Sequence, residues 1–218
     1  MLPVIFTPPP PVASAAAAPS DGTYTYQASL GGTPIGKTVI TVKRSGGVLT
    51  VSEAADASLQ GSAGSAKTSM TLSASLVPTA YAATYAMAGR SMQDRVVLDG
   101  TSATETTAGA TKTFALQPGT KQFVILDGSM LGGFFILPAQ LHAWNDPTVF
   151  GLAPMYDAGV AISPDAALTP DRPAGVPPED VALSVSSPVA FTEWYDPRTM
   201  LLDEMSVPAQ SIEVERIR

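Results

Sequence analysis

The chain has a single histidine, His142, which follows Asp127 by fifteen residues and Ser129 by thirteen. These are the residue types that acyl transfer needs: a hydroxyl nucleophile, an imidazole base and a carboxylate to orient it. A hydrolase acting from the 127–146 region is therefore one reading. No G-x-S-x-G elbow, P-loop, G-x-G-x-x-G, H-E-x-x-H or EF-hand spacing supports it. Near the end of an apolar segment and beside Trp144, His142 reads equally as a cap or packed surface residue. Carboxylates occur in pairs, Glu179-Asp180, Asp203-Glu204, and Glu213 with Glu215 across Val214. General acid–base use would require burial that raises one pKa of a pair, whereas Glu213 and Glu215 share one strand face of solvated character. No residue is assigned as catalytic. With no cysteine and one histidine, a metal site would have to rely on carboxylates, and neither metal nor cofactor is expected.

The strongest feature is apolar. From Gly128 to Leu141 fourteen residues carry no charge, short of the ~20 that span a bilayer, so no transmembrane segment is read here. Met130, Leu131, Phe134, Phe135, Leu137 and Leu141 recur at i, i+4, i+5, i+7 and i+11, the face of a short helix. Ser129 is placed to cap it and Pro138 to kink or end it. Two readings of this segment stay open: plain core, or the wall of a cavity for an apolar ligand. In the second, Met130, Leu131, Phe134, Phe135, Leu137, Leu141 and Trp144 line the site.

What must position such a helix is a β framework. "TYTYQASL", "KTVITVKR", "GVLTVSEA", "KTSMTLSASL", "DRVVLDG", "TKTFALQ" and "KQFVILDG" alternate at period two between Gly or Pro breaks. The paired glycines of "GGTPIG" and "RSGGVL" predict tight hairpin turns and a meander. "ISPDAALTPDRPAGVPPED" has no apolar period and predicts a long exposed loop. "VALSVSS", "VAFTEWYD", "TMLLDEMSV" and "SIEVERI" then return to strands, with Asp196-Pro197-Arg198-Thr199 as a turn. Trp194 and Tyr195 must point to opposite sides of their strand, so one of the two faces the core. The fold class expected is all-β and mainly antiparallel, a curved sheet or open barrel or sandwich with one short apolar helix, in a single domain spanning 22–218.

Charge narrows the partners. The net charge of −7 divides into +2 up to Leu126 and −9 beyond it, and an acidic half repels phosphate backbones, which excludes nucleic acid. The opening "MLPVIFTPPPPVASAAAAPSDG" has small residues at Ala13-Ser14-Ala15 that suit signal-peptidase cleavage, although no Lys or Arg precedes Lys37. Residues 1–21 read either as a signal remnant without its basic start or as a disordered Pro/Ala leader.

Gly22, Tyr24 and Tyr26 form an opening G-x-Y-x-Y, Leu126–Ser129 an "LDGS" step before the apolar segment, and Trp194–Pro197 a closing W-Y-D-P. On these residues the chain resembles a bacterial family of exported proteins of unknown function, similar in outline to LolA/LolB-type lipoprotein carriers. The resemblance implies a curved antiparallel sheet wrapped around an apolar cavity, a periplasmic or extracellular location, and no reaction to carry over. The expectation is an exported, non-enzymatic protein that binds an apolar small molecule or lipid. The alternatives are the hydrolase above and a structural or assembly protein of the envelope.

Overall fold

The computed structural model describes residues 18–218 except 60, 61, 129, 146, 147, 155–157, 169 and 188. Eight strands come first: β1 (Gly22–Leu30), β2 (Thr33–Ser45), β3 (Val48–Leu59), β4 (Ser62–Leu72), β5 (Pro78–Met87), β6 (Arg90–Leu98), β7 (Ser102–Thr107) and β8 (Ala110–Ala115). Then follow β9 (Phe123–Ile125), the helix α1 (Gly132–Trp144), β10 (Val149–Ala153) and β11 (Ala158–Ile162). The chain closes with β12 (Val181–Val185), β13 (Phe191–Asp196), β14 (Leu201–Val207) and β15 (Ile212–Ile217).

Twelve of these strands make one antiparallel sheet in the order β12-β13-β14-β15-β1-β2-β3-β4-β5-β6-β7-β8. Two meanders meet where β15 pairs with β1, Arg216 opposite Tyr26 and Val214 opposite Ala28. The sheet does not close into a barrel. Gly31-Gly32 and Gly46-Gly47 turn the first two hairpins with φ of 55° and 77°, and 58° and 81°, as two-residue loops require. The Asp196 turn is held by Met200 N–H donating to Asp196 O at 2.8 Å and Arg198 N–H to Asp196 Oδ1 at 2.8 Å. A second sheet, β11-β10-β9, is mixed. Its β9 and β10 run parallel and are joined through α1, the crossover that parallel pairing demands, and β9 packs on β5 and α1.

One face of the large sheet is the core face. Tyr26, Ile40, Val42, Val51, Met70, Leu72, Tyr81, Val96 and Ala103 alternate inward and are buried, and α1 lies against them with Phe135, Ile136, Leu137 and Ala139 fully enclosed. The all-β expectation with one helix holds.

Three local expectations change. Ser129 lies outside the described residues, and the helix starts at Gly132 behind Leu131, which offers no side-chain cap. Pro138 does not end the helix, which runs on through it to Trp144. The 163–180 segment is anchored to the sheet at several points. Pro164 bridges Val185, Asp165 N–H donates to Ser184 O at 2.7 Å, Val176 and Asp180 are buried, and Arg172 stacks its guanidinium 4.6 Å from the centre of the Trp194 ring. That cover resolves the Trp194-Tyr195 pair: Tyr195 packs against the main core, and Trp194 is buried on the other face beneath the loop.

Candidate functional site

A helix buried on an open sheet needs its terminal N–H groups satisfied, because the first turn has no partners within the helix. Glu53, from the middle of β3, supplies them. Leu131 N–H donates to Glu53 Oε1 at 2.8 Å and Gly132 N–H to Oε2 at 2.7 Å. The carboxylate also opposes the positive end of the helix dipole. Burial pushes the Glu53 pKa up to about 7, against the two N–H bonds, which pull it down. Asp127, five residues before the helix, accepts from Tyr81 Oη at 2.6 Å and from Tyr85 Oη. Burial together with the Asp127 carboxylate pushes both phenol pKa values up, so both tyrosines remain donors at neutral pH. At the other end Gln140 Nε2 donates to Leu76 O at 3.0 Å and Trp144 Nε1 to Ser75 O at 2.7 Å, both in the turn between β4 and β5.

All of these polar ties run to the β3–β5 side. Toward the C-terminal strands and β1 the helix meets rings: Phe134 stands edge-on to Phe191 of β13 at 5.3 Å between centroids, and Phe135 lies 5.6 Å from Tyr24 and 6.2 Å from Tyr26. The result is a seam between α1 and β13, hydrogen-bonded on one flank and closed by ring contacts on the other. Of the seven residues read as a ligand wall, Met130, Leu131, Phe135 and Leu137 are buried and pack as core. Phe134, Leu141 and Trp144 are half-buried on the part of the helix that reaches the surface. Phe191 also borders a recess of about 220 Å³ lined by Leu168 and Pro170 of the covering loop, Ser184 and Val185 of β12, Ala190, Thr192 and Pro208. A larger recess, about 790 Å³, involves β5–β7 and is lined mostly by small or polar residues such as Ala82, Thr84, Ser91 and Gln93. It brings no convergent chemistry together.

Glu193 lies on the seam side of β13. It sits two residues beyond Phe191 and therefore on the same face, opposite Leu183 of β12 and Met205 of β14. It is 0% exposed, and among the described residues neither carboxylate oxygen has a hydrogen-bond partner. Burial pushes its pKa well above the usual carboxyl range.

Asp127 and His142 of the acyl-transfer set are not brought together, and Ser129, its third member, lies outside the described residues. Asp127 is buried before the start of α1 and engaged by two tyrosines, while His142 is exposed in the last turn. The step of ten residues along the helix from Gly132 to His142 corresponds to about 15 Å of rise. The carboxylate pairs separate as well. Glu179 is exposed while Asp180 is buried, its pKa pushed up to about 7 by burial and by Asp203. Asp203 in turn is held by Arg216 at 2.6 Å and Arg218 at 3.3 Å. Glu204 is pushed to about 7 by burial and by the Glu215 and Glu213 charges. Among the described residues no group of three or more Asp, Glu or His side chains is arranged to hold a metal ion.

Glu53, Tyr81, Tyr85 and Glu193 were not singled out by the sequence reading. Glu53 and Glu193 each sit inside an alternating strand on its apolar face, a signal that was present, since a charged residue at an inward position is the exception that asks for a partner. No family model, curated protein or solved structure matches this chain, and among the described residues no helix is long and apolar enough to cross a membrane.

Proposed function

We propose that this protein is a non-enzymatic binding module that takes an apolar or amphipathic molecule into the seam between α1 and β13. The observation that carries this reading is the one-sided tethering of the helix. Glu53, Leu76 and Ser75 hold it to β3–β5, and Tyr81 and Tyr85 hold Asp127 just before it, while its contacts to β13 and β1 are ring contacts. Parting an apolar contact and refilling it with an apolar chain loses little free energy, because the same area stays out of water. Parting the polar side would orphan buried donors at about 1–3 kcal/mol each. The unclosed sheet leaves the β12 side room to yield without breaking a closed ring of strands.

Phe134→Asp tests this reading. Phe134 is half-buried, so the new carboxylate can reach water and the fold is expected to persist, but it charges the seam and an apolar guest cannot solvate it. Uptake of diphenylhexatriene, an uncharged apolar probe, is expected to fall at least about tenfold, a loss of ~1.4 kcal/mol. In a Trp144→Phe background, Trp194 emission should stay blue-shifted, since the loop that buries it lies on the opposite face. A folded variant with undiminished uptake would refute the placement.

A further inference from the structure

We infer that the molecule taken into the seam is a single-chain amphiphile with a primary ammonium head, and that Glu193 is the group that receives that head. The inference rests on the reading of the seam as a binding site and names the ligand class for it. A fully buried carboxyl with neither oxygen partnered is uncommon in native folds, because burying a polar group without a partner costs free energy. Glu193 is such a group, and it shares with Phe191 the face of β13 that borders the seam. Phe191, on the same face of β13, packs its ring on Phe134 of the helix, and Leu183 and Met205 flank Glu193 from β12 and β14. Tyr195, next but one on the same strand, is the titratable neighbour, and its own pKa is raised by burial and by Glu193.

The chemistry of the head follows from what Glu193 lacks. Two acceptor oxygens without donors call for a group rich in N–H and without lone pairs of its own, and a primary ammonium has three donors and no acceptor. An alcohol brings one donor and adds lone pairs that would need partners in turn. A quaternary ammonium brings no donor. A carboxylate or phosphate head would enter the half of the chain that carries −9, where the field opposes it. Phe134 and Phe191 supply apolar surface for the chain behind the head. Burial pushes the Glu193 pKa up in the free protein and a seated ammonium pulls it back down, so binding is expected to release protons.

Decylamine, decanol and decanoate share one chain and differ only at the head. Calorimetric titration of each into the wild-type protein and into Glu193→Gln separates the possibilities. Decylamine is expected to bind at least about tenfold more tightly than either of the others, as the gain of a charge-assisted bond implies, with proton release seen by comparing two buffers of different ionisation heat. Glu193→Gln should remove that preference, lowering decylamine affinity at least about tenfold while decanol stays within about threefold. Decanol or decanoate matching decylamine in the wild-type protein would overturn the inference without any variant having to fold. So would a Glu193→Gln variant that keeps the amine preference. If diphenylhexatriene is taken up and the amine is not preferred, only the head-group assignment falls. If neither the probe nor any of the three ligands binds, the seam itself is not a site.

Discussion

Glu53→Ala is expected to destabilise the protein by about 3 kcal/mol, and Glu53→Gln by roughly half of that. Alanine leaves the Leu131 and Gly132 N–H groups buried without an acceptor. Each such orphan is worth about 1–3 kcal/mol, offset in part by no longer burying a carboxylate. Glutamine keeps one acceptor oxygen and so one of the two bonds. The same residue makes a prediction for pH. The Glu53 pKa is raised from 4.5 to about 7 in the fold, so between those values the native state holds a proton that the unfolded chain has released. Its stabilisation is complete below about pH 4.5 and is lost as pH rises through about 7, a difference of order 3 kcal/mol. Glu193, Asp180 and Glu204 are raised too and add the same sign. Asp99 and Asp196 are lowered, and their contribution disappears only under more acid conditions. Urea unfolding should therefore show greater stability at pH 5 than at pH 8, with a smaller difference in Glu53→Gln. An unchanged pH slope in that variant would contradict the assignment.

Gly133→Ala should be at least as damaging, although alanine is the better helix former by about 1 kcal/mol. A Cβ at Gly133 would lie 1.9 Å from Ile125 O and 3.0 Å from Ile125 C. Both atoms belong to the backbone of β9, which is paired to β10 and cannot rotate aside as a side chain would. Relief requires α1 to lift off β9, disturbing the apolar packing around Phe123, Ile125 and Phe135. Overpacking against side chains costs about 1–3 kcal/mol, and a backbone obstruction belongs at or above the top of that range. Gly132→Ala is the matched control. Its nearest obstruction is Glu53 Oε2 at 3.1 Å, the end of a flexible side chain, and a loss under about 1 kcal/mol is expected. Thermal melts of the two variants check this, and a Gly133→Ala protein as stable as the wild type would mean that β9 does not pass beneath the helix.

These two residues mark where the sequence was readable and where it was not. Hairpins turned by Gly31-Gly32 and Gly46-Gly47, the Asp196 turn and the apolar run of α1 are local signals, and each appears where its residues predict it. β5 escaped because "PTAYAATYAM" is rich in alanine, a weak strand former, and its inward face alternates large with small as Tyr81, Ala83 and Tyr85. β7, "SATETT", escaped because nearly every residue in it is polar. β9 falls inside the expected strand "KQFVILDG", whereas β10 and β11 run five residues each, too short to show a period. The helix cap was beyond local reading. Glu53 lies 78 residues before Leu131, and no spacing rule connects a strand glutamate to a helix that distant. The alternation of Trp194 and Tyr195 was legible, but which of them met the main core depended on Arg172 and Val176 of a loop whose composition shows no apolar period.

The most direct measurement of the seam as a binding site is mass spectrometry of the folded protein under non-denaturing conditions, after incubation with decylamine and with diphenylhexatriene. The account predicts one added molecule per chain for the wild type, released when the protein is denatured, and a bare mass for folded Phe134→Asp. A wild-type protein that stays at its bare mass with both molecules, or a Phe134→Asp protein that retains them, would contradict it.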